Sequence, residues 1–212
     1  MIASLRPRTS RPGFLPRVPS RTRSVGSAVG WAAAVTLIEA IAKRRMSSRS
    51  RAWLVAYSVI GAAAGAEVLA GQGVDQRNPG AKQGRADLVA GLALAAGGYQ
   101  VGRLLLRDRP SIPPPEAMWL ETLAVAGVVA PAEEVAWGAL VQPALGITAT
   151  SGLFAAKHVA VDGRWRRSLG LALFGVGLGL LRRRSPKLAL VVHVGCNAAG
   201  VALGHLTGRD QF

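Results

Sequence analysis

Five polar side chains that could act together lie inside long apolar stretches of the sequence: Glu133, Glu134, His158, His193 and Asn197. An acid at the centre of a membrane-spanning helix costs about 2.5 to 3.5 kcal/mol, so such residues are functional candidates unless they only join helices by hydrogen bonds. Imidazole and carboxylate groups could hold a divalent ion such as zinc, with a place left for water. Without a metal, a glutamate beside a histidine could act as a general base on water, and an asparagine amide could stabilise an oxyanion. Both routes predict hydrolysis of an acyl bond.

Helical spacing places these side chains on shared faces. Phe154 and His158 are four residues apart, as are His193 and Asn197, so each pair lies on one face of a helix. If a metal is bound, its protein ligands would be Glu133, His158 and His193. The sequence lacks both the G-x-S-x-G and the H-E-x-x-H motif, so it indicates neither a serine nucleophile elbow nor a soluble zincin site.

The elements that must position these residues are apolar helices. The 212-residue chain is 50% hydrophobic, with a mean hydropathy of +0.29. Five of its seven apolar stretches reach the roughly 20 residues that a helix needs to cross the membrane hydrocarbon. A soluble fold with these stretches would keep almost no polar surface, so we predict an all-α, polytopic transmembrane helical bundle of about six to eight helices. The stretches are 27–42, 52–70, 88–106, 117–141, 143–161, 168–181 and 188–206.

The basic residues cluster at the ends of the apolar stretches. Twenty-six Lys and Arg against 11 Asp and Glu give a formal charge of +15. Proteins that bind nucleic acid usually lay such charges along a face with aromatic residues, whereas these clusters suit anionic lipid head groups. We therefore expect a lipid bilayer, and no nucleic acid, as a partner. The single cysteine, Cys196, provides neither an intramolecular disulfide nor a CxxC zinc site.

The predicted organisation has three parts, which are a basic and flexible tail over 1–26, N-terminal transmembrane helices over 27–116 and a catalytic core over 117–207. The apolar stretch 168–181 would form a helix only about 21 Å long, which is shorter than the hydrocarbon thickness of about 30 Å. We therefore expect the arginine clusters at 164–167 and 182–187 to lie on the same side of the membrane.

Three segments resemble the ordered motifs of a known family. They are EEVAW at 133–137, FAAKH at 154–158 and HVGCN at 193–197. These resemble the EExxxR, FxxxH and HxxxN motifs of the CPBP intramembrane proteases, which include the CAAX prenyl endopeptidases of the Rce1 type and the bacterial Abi proteins. The resemblance covers about 117–206. It implies an integral protein of a bacterial cytoplasmic membrane that hydrolyses a peptide bond of a membrane-associated peptide or protein.

The resemblance also implies a role for each candidate. Glu133 and His158 would activate the attacking water, and Glu134 would support them. His193 and Asn197 would stabilise the tetrahedral oxyanion. The resemblance leaves open whether the protein is a metalloprotease with a divalent metal or works through glutamate and histidine alone.

One position departs from the family motif. The final Arg of EExxxR is replaced by Gly138, so Lys157 or no residue would pair with a glutamate. This makes a catalytically silent CPBP-like membrane protein, acting in immunity or as a partner of another membrane protein, the main alternative. A transporter or channel with a proton path is a third hypothesis, and the lack of an internal repeat disfavours it.

Overall fold

The chain folds into an antiparallel bundle of helices. The computed structural model describes residues 24–70, 85–108 and 116–209, and within these ranges it contains no strand. The predicted tail therefore lies almost wholly outside the described residues. The prediction of an all-α bundle is confirmed, and the described ranges hold seven helices, within the six to eight expected. The helices are α1 (Val25–Arg45), α2 (Arg49–Ala70), α3 (Arg85–Leu105), α4 (118–141), α5 (Gln142–Asp162), α6 (Ser168–Arg184) and α7 (Pro186–Thr207).

The surface of this bundle is that of an integral membrane protein. Five helical segments are long and apolar enough to cross a membrane, and the longest, Met118–Asp162, comprises α4 and α5 together. Many large apolar side chains point outward, which suits contact with lipid rather than water. Examples are Leu37, Val55, Val59, Leu104, Val191 and Leu206.

A reversal of the chain at Gly146, inside α5, brings the rest of α5 alongside α4. Gly146 has φ 77° and ψ 174°, a backbone conformation that is essentially restricted to glycine. Beyond it the chain runs back along α4, so the rings of Trp137 and Phe154 meet edge to face, with centroids 5.7 Å apart. One turn further from the reversal, the same antiparallel arrangement places Glu133 opposite the end of α5 that carries His158.

Helix α6 runs antiparallel to α3 along its length. Gly102 lies against Gly170 near the start of α6, and Gly91 lies against Leu181 near its end. The 17-residue helix therefore connects opposite ends of the bundle, with a length of about 25 Å. The two ends of α6 thus lie at opposite ends of the bundle, and the placement of the clusters at 164–167 and 182–187 on one side of the membrane stays a prediction.

Candidate active site

Glu133 and His158 face each other inside the bundle. His158 Nε2 lies 3.9 Å from Glu133 Oε1, and the two side chains are 15% and 4% exposed. The Nε2 atom is buried and has no hydrogen-bond partner among the residues that the structure describes. A buried ring nitrogen without a partner costs free energy, so this position favours a water or substrate atom that completes its hydrogen bonding.

A cavity of about 340 Å³ opens beside this pair. It is large enough for part of a peptide or for a small ligand. Its polar wall includes Glu133, His158 and Asn197, whereas Val129 and Phe174 belong to its apolar wall. A substrate with one peptide group among apolar side chains would fit this cavity, because its peptide group could face the polar wall while its side chains face the apolar wall.

Lys157 is buried and does not reach the surface of the bundle. Its ammonium donates hydrogen bonds to Glu133 Oε1 at 2.8 Å and to Glu39 Oε2 at 2.9 Å. The Lys157 ammonium also lies 2.6 Å from the Tyr57 hydroxyl. That hydroxyl in turn lies 2.6 Å from Glu39 Oε2 and 2.9 Å from Glu133 Oε1. Two buried carboxylates thus share one cation, which stabilises their negative charge and fixes the orientation of Glu133.

His193 approaches Glu133 from the other side. Its Nδ1 lies 2.9 Å from Glu134 Oε1, and its Nε2 lies 3.6 Å from Glu133 Oε2. Arg182 donates to Glu134 Oε2 through Nη2 at 2.6 Å and through Nε at 3.0 Å. Glu134 and His193 therefore lie behind Glu133, in a smaller cavity lined also by Arg182, and not on the wall of the large one.

Asn197 lines the large cavity together with Glu133 and His158. Its amide Nδ2 donates a hydrogen bond to the carbonyl oxygen of Val125 at 2.9 Å, which fixes the side chain between α7 and α4. An amide nitrogen carries two hydrogens, so this contact engages one of them. The structure thus brings three of the five predicted site residues to one cavity and places the other two directly behind Glu133.

Asp162 lies beside the second ring nitrogen of His158. Its Oδ2 is 3.7 Å from His158 Nδ1, and it forms ion pairs with Lys43 and with Arg167, the latter at 2.5 Å. A carboxylate on this side favours the proton on Nδ1 and leaves Nε2 free to accept a hydrogen bond. The arrangement repeats that of His193, because each histidine has a carboxylate behind it that is held by a basic side chain.

Four of these partners were missed by the sequence analysis: Glu39, Tyr57, Asp162 and Arg182. Asp162 carried a usable signal, because it follows His158 by four residues on one helix and so shares its face. Glu39 carried a weaker one, since a lysine inside an apolar helix needs an acid as a partner. Tyr57 and Arg182 carried none, because their sequence positions do not show which helices are neighbours.

The predicted metal ligands do not form a metal site in this arrangement. Among the described residues, no group of three or more His, Cys, Asp or Glu side chains is placed to hold a metal ion. The ammonium of Lys157 contacts one carboxylate oxygen of Glu133, and His193 Nδ1 faces Glu134. A metal held by Glu133, His158 and His193 therefore stays a prediction.

Residues 115–199 match the model of the family described as Rce1-like, type II CAAX prenyl endopeptidase Rce1-like. The matched segment contains all five predicted site residues and covers α4 to α6 and the first part of α7. The resemblance of the three motifs to the Rce1-type proteases is confirmed for this segment. No curated protein matches the chain, and no solved structure does.

Proposed function

We propose that this Rce1-like membrane protein is an intramembrane endopeptidase, which hydrolyses a peptide bond of a membrane-associated peptide or protein with a water activated by Glu133 and His158. One observation carries the proposal. The unpartnered Nε2 of His158 is buried at the cavity wall, 3.9 Å from a glutamate carboxylate. The family match supports the reaction class, because the matched family is one of proteases.

The chemistry needs a base, an oriented water and a site for the oxyanion. In the proposed mechanism a water bound between Glu133 and His158 gives its proton to this pair while its oxygen attacks the scissile carbonyl carbon. The tetrahedral oxyanion accepts a hydrogen bond from the second amide hydrogen of Asn197. The pair then returns the proton to the nitrogen, the C–N bond breaks, and the products are a carboxylate and an amine.

The surrounding polar groups hold this pair in place. Lys157 and Tyr57 fix one oxygen of Glu133, so the carboxylate keeps its charge and orientation. Glu134 acts through His193, which lies between the two glutamates. The direct contact of His193 with the oxyanion stays a prediction, because the large cavity is lined by Asn197 and not by His193.

The proposed location is a bacterial cytoplasmic membrane. Support comes from the apolar helices and from the basic residues at their ends, which attract anionic lipid head groups. The apolar wall of the cavity fits a substrate that is itself held at the membrane.

The proposal is tested by incubating the purified protein in liposomes with membrane-tethered reporter peptides. A prenylated CAAX peptide is the first probe, since the description of the matched family names this substrate. We expect one internal peptide bond to be hydrolysed, and His158→Ala to lower the rate by about 10² to 10⁴-fold because the water loses one partner. His205→Ala is the matched control, since His205 contacts Glu121 at 2.7 Å and does not line the cavity.

If the protein cleaves neither the reporters nor any protein in the membrane fraction of a protease-poor host, the silent homologue becomes the better hypothesis. Equal cleavage by the parent and by His158→Ala would show that the activity arises elsewhere.

Cleavage is expected to be independent of a metal ion, because Glu133 is already paired with Lys157. Treatment with EDTA or 1,10-phenanthroline should therefore change the initial rate by less than about twofold, whereas a zinc protease treated in parallel should lose its activity with the metal. Loss of cleavage that is restored by added zinc would contradict the metal-free mechanism and leave the assignment of a protease intact.

A further inference from the structure

We infer that Arg182, from α6, takes the place of an arginine at position 138 and positions Glu134 and His193 for the reaction. This inference rests on the proposed function. A Cβ atom added to Gly138 would lie 2.6 Å from Cζ and 2.9 Å from Cδ of Arg182, and closer still to Nε. These separations are well below van der Waals contact, which lies at about 3.5 to 4.0 Å. The guanidinium of Arg182 therefore occupies the space where a side chain at position 138 would begin.

The contacts of Arg182 lead directly to the site. Two of its nitrogens bind the same oxygen of Glu134, and a third binds the Gln142 side chain. The other oxygen of Glu134 binds His193 Nδ1 at 2.9 Å. The side chains of Arg182 and Glu134 are only 12% and 10% exposed, so water weakens this ion pair less than it weakens a surface pair.

Arg182 is a positioning residue, since it acts through Glu134 and touches neither Glu133 nor the large cavity. A carboxylate accepts hydrogen bonds, so Glu134 places a proton on His193 Nδ1 and orients the ring. The ring's Nε2 lies 3.6 Å from Glu133 Oε2. Arg182 thereby influences the orientation of the proposed general base across two intervening side chains.

The lack of a side chain at position 138 and the position of the Arg182 side chain depend on each other. A side chain at position 138 starts from the same helix as Glu134, four residues further on, and so could reach the same carboxylate. With Arg182 in place there is no room for it. The expectation that Lys157 would pair with a glutamate is confirmed at Glu133 and Glu39. Arg182, which the sequence did not single out, pairs with Glu134.

The test removes the arginine at position 182 on α6 and introduces one at position 138 on α4. Four variants are compared in detergent micelles: Arg182→Ala, Gly138→Arg, the two combined, and Arg183→Ala as a matched control on an exposed neighbour. The first readout is the ¹⁵N spectrum of the imidazole rings, since the chain has only 3 histidines. The second is kcat and KM for a cleaved reporter peptide.

We expect Arg182→Ala to shift the His193 ring resonances and to lower kcat by about 10²-fold, with KM changed by less than about threefold, because the base loses its orientation while substrate contacts remain. Gly138→Arg alone should also be impaired, since two arginines compete for one space. The combined variant should recover the parent spectrum and a kcat within about tenfold of the parent, because an arginine again reaches Glu134. Arg183→Ala should match the parent in both readouts.

Two results would overturn the inference. One is an unchanged His193 spectrum in folded Arg182→Ala, and the other is a folded combined variant that performs no better than either single variant. If the combined variant does not fold, Arg182→Lys decides, because it keeps the charge without the paired N–H groups and must still shift the His193 resonances. If the parent itself cleaves nothing, the proposed function fails, while the His193 spectra still test the contact.

Discussion

Glu133→Gln is expected to lower the rate of peptide-bond cleavage by at least about 10² to 10⁴-fold, which is the range for loss of a general base. Glutamine keeps the size of the side chain and much of its hydrogen bonding, but its amide cannot take a proton from water. It also removes the negative charge that faces Lys157 at 2.8 Å. The measurement is the initial rate of reporter cleavage in liposomes, compared at equal amounts of folded protein.

Combining Glu133→Gln with His158→Ala should add little to either single change. The two groups lie 3.9 Å apart and are proposed to serve one water, and groups that act as a unit give effects that are far from additive. A combined loss equal to the product of the two single losses would show that Glu133 and His158 act in separate steps. His205→Ala combined with Glu133→Gln provides the additive control, because His205 does not line the cavity.

Lys157→Met is expected to lower the free energy of unfolding by about 3 to 5 kcal/mol, the usual cost of removing one partner from a buried ion pair. Methionine approximates the length of the lysine stem but leaves Glu39 and Glu133 facing each other without the cation that both contact. The measurement is denaturant or thermal unfolding in micelles, followed by circular dichroism.

Two further variants separate this effect from a general loss of charge. Lys187→Met changes an exposed lysine at the start of α7 and should alter the free energy of unfolding by less than about 0.5 kcal/mol. Glu39→Gln combined with Lys157→Met removes one of the two carboxylates that lose this cation, the one that keeps Lys43 at 3.3 Å, and should recover part of the loss. A Lys157→Met protein as stable as the Lys187→Met protein would mean that the buried network does not exist in the membrane protein.

The sequence predicted the helices well, since long apolar stretches have few alternatives to membrane-spanning helices. It failed where tertiary packing decides the geometry. The chain reverses at Gly146, inside α5, although Pro143 marked the start of an apolar stretch. The length of α6 was underestimated, because Arg182 lies inside the bundle and not in a loop.

The candidate site was predictable to the extent that its residues lie in short local patterns. Glu133, His158 and Asn197 stood out as polar groups in apolar helices, and they line one cavity. Glu39 from α1 and Tyr57 from α2 hold Lys157 and Glu133, and Arg182 from α6 holds Glu134; a single sequence does not show that these helices adjoin. Lys157 was therefore interpreted without Glu39, and Gly138 without Arg182.

The most direct test of the proposed water activation is cleavage of one membrane-tethered peptide in H₂¹⁸O by the purified parent and by Glu133→Gln. The cavity and the Glu133–His158 pair predict that the parent forms a single new carboxylate carrying one solvent ¹⁸O, without a covalent acyl intermediate, and that Glu133→Gln forms almost none in the same time. Accumulation of an acyl intermediate on the parent, or an equal yield from both proteins, would contradict hydrolysis by a water that Glu133 activates.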